Sequence, residues 1–282
     1  MIHAFLFIFG AVIGSFLNVL IYRVPRGRSI VRPPSSCPAC GARIRPRDNV
    51  PVLGYLFLHG RCRDCGERIS VRYPAVELLC GLLPLAIFWR VGLGGEFAVM
   101  TAFAYGLVVL SFIDLDERIL PDRITLPGIA VGLIAAPLAG VTTFASSLIG
   151  IAVGGGALFL VGLLGDAVFK KESMGGGDVK LAAMLGAFIG WRAVIVALFA
   201  AFLLGAIVGI GQMAGQRRGM GTPGAGERET GAREADGQET GGQDGDSEWD
   251  HTIPFGPFLA LGGLLAALWG EWLISWYQGL FI

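Results

Sequence analysis

Residues Ile124–Gly165 read ITLPGIAVGLIAAPLAGVTTFASSLIGIAVGGGALFLVGLLG, 42 positions without one Asp, Glu, Lys or Arg. A spanning helix takes about 20 apolar residues to cross roughly 30 Å of hydrocarbon. The stretch is therefore long enough to cross twice, and Pro137 and Gly140 supply a turn between the crossings. Other runs repeat the pattern. Met1–Tyr22, Phe97–Ile113 and Ala193–Gln216 carry no charge, Tyr73–Trp89 carries only Glu77, and Ile253–Ile282 only Glu271. Eight spans are expected, near 2–22, 74–91, 96–113, 124–140, 144–165, 178–190, 192–213 and 254–277. The sixth is short and reads as a tilted or re-entrant helix.

Composition agrees. Hydrophobic residues make up 54% of the 282 and charged residues 16%, with a mean hydropathy of +0.64; a soluble domain carries about a quarter charged residues. Lys+Arg and Asp+Glu balance at 22 each, which excludes a nucleic-acid binder driven by bulk positive charge. Five cysteines are too sparse for a secreted disulfide scaffold. Gly150/Gly154 and Gly205/Gly209 have the four-residue spacing that lets membrane helices approach closely; bundle packing is the ordinary reading and a dimer contact the sharper one.

The charges orient the chain. Residues 23–73 hold eleven Arg against three acids, and positive loops stay in the cytoplasm. The N-terminus is then outside, and 114–123, 166–177 and 214–252 are cytoplasmic. Lys170, Lys171, Arg217 and Arg218 lie in or beside those loops, whereas the outer loops hold only Arg90, Glu96 and Arg192. Met1–Tyr22 lacks a basic leading region and reads as a retained span, not a cleaved signal peptide. Residues 215–250 are rich in Gly, Glu, Asp, Gln and Thr, with nine acids from Glu227 to Asp250. Such a segment buries too little apolar area to offset its ordering entropy.

Within the basic loop, Cys37-Pro-Ala-Cys40 and Cys62-Arg-Asp-Cys65 form a CxxC…CxxC pattern, each followed by glycine, Gly41 and Gly66. Glycine there permits the tight turn that brings two thiolates to one ion, and four thiolates suit tetrahedral zinc. The 21 intervening residues slightly exceed the usual spacing, which a β-hairpin insert would accommodate. A redox pair is the lesser reading. Cys80, inside a span, reads as packing. The expected organisation is a first transmembrane helix at 1–22, a cytoplasmic four-cysteine zinc domain at 23–73, a transmembrane catalytic bundle at 74–213, a disordered acidic cytoplasmic linker at 214–252 and a last transmembrane helix at 253–282. The fold class is an all-α polytopic membrane protein of about eight transmembrane helices with a small cytoplasmic zinc-binding loop domain.

Two carboxylates fall at the cytoplasmic boundary. Asp114 follows the third apolar run without a spacer. Asp178 follows Gly175-Gly176-Gly177, whose glycines allow close backbone approach. Each singly reads as a helix cap or a boundary residue, and Asp122 before Ile124-Thr125-Leu126 looks like an N-cap. Together, on the same side of the membrane, Asp114 and Asp178 suggest chemistry, because ionisable groups at membrane depth are costly and usually functional. Two close carboxylates share a proton, so one acts as base on water and the other as acid on a carbonyl.

The motifs resemble those of the type IV prepilin peptidases, membrane aspartyl proteases with a GxGD motif, over nearly the whole chain. Gly14-Ser15-Phe16-Leu17-Asn18-Val19 and Tyr22-Arg23-Val24-Pro25 match the family opening. The CxxC pairs follow, then Arg72-Tyr73-Pro74-Ala75-Val76-Glu77. Asp114 stands seven residues before Pro121 as in the family's D…LPD element, and Gly175-Gly176-Gly177-Asp178-Val179-Lys180 matches GxGDxK. The resemblance implies removal of the basic leader from type IV prepilins or type II secretion pseudopilins at the cytoplasmic face of a bacterial inner membrane, by Asp114 and Asp178. It also implies N-methylation of the new terminus with S-adenosylmethionine. No residue stretch places the methyl donor. Asp116 is the local rival of Asp114, and Lys180 either tunes Asp178, orients the leader or snorkels. The partners implied are prepilins and lipid, with no nucleic acid. An ion-coupled transporter using the paired carboxylates is the alternative from another class, though transporters favour midplane charges in repeated halves; a zinc-anchored scaffold without catalysis is a third.

Overall fold

The computed structural model describes residues 1–170, 174–219 and 254–279. The acidic linker expected at 214–252 lies, from residue 220 on, outside the described residues, as does Lys171. Each charge-poor run is a helix. In chain order these are α1 (Ile2–Arg23), a five-residue α2 (Leu53–Phe57) in the cysteine loop, α3 (Arg72–Val91), α4 (Gly95–Glu117), α5 (Asp122–Leu138), α6 (Phe144–Phe169), α7 (Gly176–Gly219) and α8 (Gly256–Gly279).

Six of these, α1, α3, α4, α6, α7 and α8, are long and apolar enough to cross a membrane. Three expected spans differ. The 17 residues of α5 rise about 26 Å, slightly less than the hydrocarbon thickness. The expected sixth and seventh spans run together as α7, broken only at Gly190. Gly190 has φ 76° and ψ 174°, and a conformation of that kind is open to glycine and strained for other residues. One residue thus takes the place of a loop.

Two apolar clusters organise the bundle. One joins α1 and α3 to a face of α4 through Ile21, Val76, Ile87, Val108 and Ile113. The other joins the opposite part of α4 to α5–α8 through Leu107, Leu181, Leu185 and Leu259, with Phe103 stacked on Phe188 at 4.5 Å. Helix α4 is the main element common to both; the buried side chains of α8 reach the first cluster only through Leu268. Between helices the small residues decide how closely backbones meet. A Cβ at Gly150 would lie 2.3 Å from the carbonyl oxygen of Gly186, and one at Gly154 2.4 Å from that of Ala182. The Gly150/Gly154 pair therefore packs α6 on α7 within one chain. Gly10 and Gly14 do the same for α1 on α3, against the Cys80 backbone and side chain. Gly205 and Gly209 meet no backbone within 4 Å. Outward-facing Phe5, Ile8, Phe9, Leu160, Leu164 and Phe199 are exposed, as suits a lipid-facing surface.

Candidate active site and cysteine module

The cysteine loop folds as two matching knuckles. In each, the first Cys donates its N–H to a carbonyl five residues on (Cys37 to Ala42 at 2.9 Å, Cys62 to Glu67 at 2.8 Å). The following glycine closes the turn back onto that Cys, Gly41 with φ 72° and Gly66 with φ 74°. Single bridges, Ser36–Arg43 and Arg61–Arg68, flank the knuckles. The expected β-hairpin insert is not formed: the intervening chain holds a 3-10 turn at Pro46–Asp48 and then α2, and no strand occurs among the described residues. Charge explains what holds this insert. Arg63 of the second knuckle grips Asp48 through both carboxylate oxygens, at 2.6 and 2.9 Å, and Arg45 meets Asp64 at 3.1 Å. The Arg63 guanidinium keeps the Asp48 carboxyl below its ordinary range.

All four Sγ atoms of Cys37, Cys40, Cys62 and Cys65 lie within 4.8 Å of one another, Cys37 and Cys65 at 3.8 Å. Bonds of about 2.3 Å around a tetrahedral zinc separate its sulfurs by about 3.8 Å, so the set fits a metal ion. Backbone amides, led by that of Cys40, pull the Cys37 thiol down to about 7. At Cys65 the Glu67 amide acts in the same sense, but desolvation and the neighbouring thiols outweigh it and push this thiol up to about 12. Cys80 is buried in α3 and away from this cluster.

Asp114 occupies the last turn of α4 and is 6% exposed. The backbone N–H of Gly256, at the start of α8, donates to its Oδ2 at 2.9 Å. Asp178 sits in the first turn of α7, half-buried, its N–H donating to the Gly175 carbonyl at 3.1 Å. The two carboxylates are near enough for the charge of Asp114 to act on Asp178. Leu120, between the LPD proline and α4, rests against Gly177, where a Cβ would lie 2.9 Å from that of Leu120.

The other acidic residues nearby are engaged elsewhere. Asp116 pairs with Arg72 and Glu117 with Arg26, both at the cysteine-module end of the bundle. Asp122 is not the N-cap of α5: that position is Pro121, and Asp122 is the first helical residue with no capping bond. Lys180 instead donates to both its oxygens, at 2.7 and 2.8 Å. Lys180 is thereby a tie between the ends of α7 and α5, which departs from its expected roles beside Asp178 or toward the leader. The Gly256 contact had no expectation attached to it; the one local sign is a glycine between Phe255 and Pro257 at a helix start.

Two family descriptions match the chain: the bacterial peptidase A24 N-terminal domain over residues 8–91, and the type IV leader peptidase family over residues 101–210. Relatives named prepilin leader peptidase/N-methyltransferase include one from Myxococcus xanthus, 40% identical over 95% of this chain and 90% of the relative. A second, from Pseudomonas putida, is 36% identical over 94% and 89%, and a third, from Aeromonas hydrophila, 34% over 96% and 92%. The chain belongs to the type IV leader peptidase family. No solved structure matches it. The first matched region contains most of α1, the cysteine module and α3, and the second contains both Asp114 and Asp178.

Proposed function

We propose that the chain is a bifunctional enzyme of the inner membrane. It removes the basic leader of type IV prepilins or type II secretion pseudopilins at the cytoplasmic face and then methylates the new N-terminus with S-adenosylmethionine. Asp114 and Asp178 are its proteolytic pair. The observation that carries the reading is the placing of these two carboxylates within electrostatic reach at one end of the bundle, in a chain whose relatives bear both activities in their name.

With one proton between them, the ionised aspartate takes a proton from water while the other donates to the scissile carbonyl oxygen. The resulting diol collapses as the leaving amine is protonated. The Gly256 amide fixes one oxygen of Asp114 and so orients the pair. Arg-rich residues 23–73 lie at the same end, joined to α4 by Arg72–Asp116 and Arg26–Glu117, which supports a cytoplasmic site. The engagement of Asp116 by Arg72 favours Asp114 as the catalytic partner. Zinc is the metal that Cys37, Cys40, Cys62 and Cys65 would hold, and its contribution is to staple a module with little core of its own.

The test is cleavage of a prepilin by the purified protein in detergent. Asp114→Asn and Asp178→Asn proteins, each folded, are expected to lose cleavage. Full activity in either would sink the pair assignment.

A further inference from the structure

The cysteine module carries an apolar edge of its own. Short as it is, α2 has two faces. Gly54 and Tyr55 turn into the module: a Cβ on Gly54 would lie 2.3 Å from the Asp48 carbonyl oxygen, and one on Gly60 would lie 2.8 Å from the Tyr55 hydroxyl. Leu53, Leu56 and Phe57, spaced i, i+3 and i+4, share the other face. Each is between 49% and 74% exposed. Grouped apolar side chains left open in this way mark an interaction surface.

One hydrogen bond fixes the level of that face against the bundle. The Val52 N–H, directly before α2, donates to a Glu77 carboxylate oxygen at 2.7 Å. Glu77 lies five residues into α3, about 7.5 Å along its axis from Arg72, and a helical side chain leans back toward its helix N-terminus. Val52 is therefore level with the opening turns of α3. The 20 residues of α3 rise about 30 Å, the thickness of the hydrocarbon, so those turns mark the edge of the membrane. Val71, the residue before α3, is exposed at the same edge. Val52 has φ 60° and ψ −50°, the centre of a three-residue turn closed by the Leu53 N–H on the Pro51 carbonyl at 2.6 Å. For a β-branched residue this backbone is strained, and such strain persists where the surroundings hold it. Here the Glu77 carboxylate holds the turn that aims α2.

The flanking charges select the partner. Arg47, in the 3-10 turn before α2, and Arg61, just after it, are exposed and form no salt bridge among the described residues. Apolar side chains bordered by cations suit the headgroup layer of an anionic leaflet, and the face already stands at that layer. We propose that α2 inserts Leu53, Leu56 and Phe57 into the cytoplasmic leaflet, with Arg47 and Arg61 at the lipid phosphates. The cysteine module is thereby pinned to the membrane at a point of its own, apart from α1 and α3. The inference goes beyond the two catalytic readings and needs neither.

The experiment uses the full-length, metal-loaded protein carrying Phe57→Cys, with an environment-sensitive dye on the new thiol. It is placed one copy to a nanodisc of phosphatidylethanolamine and phosphatidylglycerol. The four module cysteines are held by metal and Cys80 is buried, so the dye goes to residue 57. The dye is expected to lose most of its emission to lipids bearing a nitroxide near the headgroup and to be shielded from aqueous iodide. Quenching by iodide and not by nitroxide lipid overturns the inference. Shielding from iodide that appears only in discs holding two copies, or only once prepilin is added, assigns the face to a protein and likewise overturns it. A second measurement uses no dye. Leu53→Ser, Leu56→Ser and Phe57→Ser together, in protein that keeps its metal, should speed hydrogen exchange across residues 50–58 in the same discs at least about tenfold. Unchanged exchange there would mean that lipid does not hold α2.

Discussion

Gly256 and Asp114, 142 residues apart in sequence, meet through one hydrogen bond of 2.9 Å from the backbone amide of α8 to the carboxylate of α4. A Cβ on Gly256 would lie 2.6 Å from the same oxygen and 3.0 Å from its carbon. The contact therefore admits no side chain at residue 256 while Asp114 stays in place.

Gly256→Ala should displace the Asp114 carboxylate by a fraction of an ångström to an ångström, a shift that costs a reaction of this kind about 100-fold. Prepilin cleavage by the purified variant, compared with its melting temperature, separates misplacement from unfolding. Wild-type cleavage would show that Asp114 does not need this position.

Asp116→Asn should leave cleavage within about fivefold of wild type, because the residue serves a partly exposed ion pair with Arg72 of modest value. Lys180→Met should behave alike, since its ammonium is engaged by Asp122 and is 38% exposed. The cleavage rates of both, set beside Asp114→Asn, decide which carboxylate of the Asp-Leu-Asp run is essential.

Gly186→Ala and Gly209→Ala should differ sharply. At Gly186 the new Cβ would stand 1.9 Å from the Gly150 carbonyl oxygen, whereas Gly209 has nothing within 4 Å. The first forces α6 and α7 apart at a cost of about 1–3 kcal/mol or more. The second stays within about 1 kcal/mol. Thermal unfolding in one detergent measures both.

Zinc affinity should rise with pH through neutrality. Protons and metal compete for the same sulfurs. In the metal-free module Cys37 loses its proton near 7 while Cys65 is held to about 12. Lowering the pH below 7 reprotonates even the most acidic thiol, so binding weakens; raising it frees thiolates, and binding strengthens. Chelator competition at pH 6, 7 and 8 reads the trend, and a flat response would contradict thiolate ligation.

The helices were legible because each depends on its own composition. The charge-poor runs at 2–22, 96–113 and 144–165 fold as α1, α4 and α6, and the CxxC spacing brings its four sulfurs together. The contents of the cysteine loop were not legible, because a hairpin and a 3-10 turn with a short helix span the same gap. The choice depends on distant charge pairs such as Arg63–Asp48. Asp122 misled for a similar reason. Its position before a helix satisfies the cap pattern, yet Lys180, 58 residues away, claims its oxygens. The contact of the Gly256 amide with Asp114 exists only once separate helices have met, so no local pattern announces it.

Helix α4 is the chief joint between the two apolar clusters, so it bears on both sides of the bundle at once. A packing defect in α4, such as a shortened Leu107 or Val108 side chain, is felt by both clusters, whereas one in α1 or α6 stays mainly with its own neighbours.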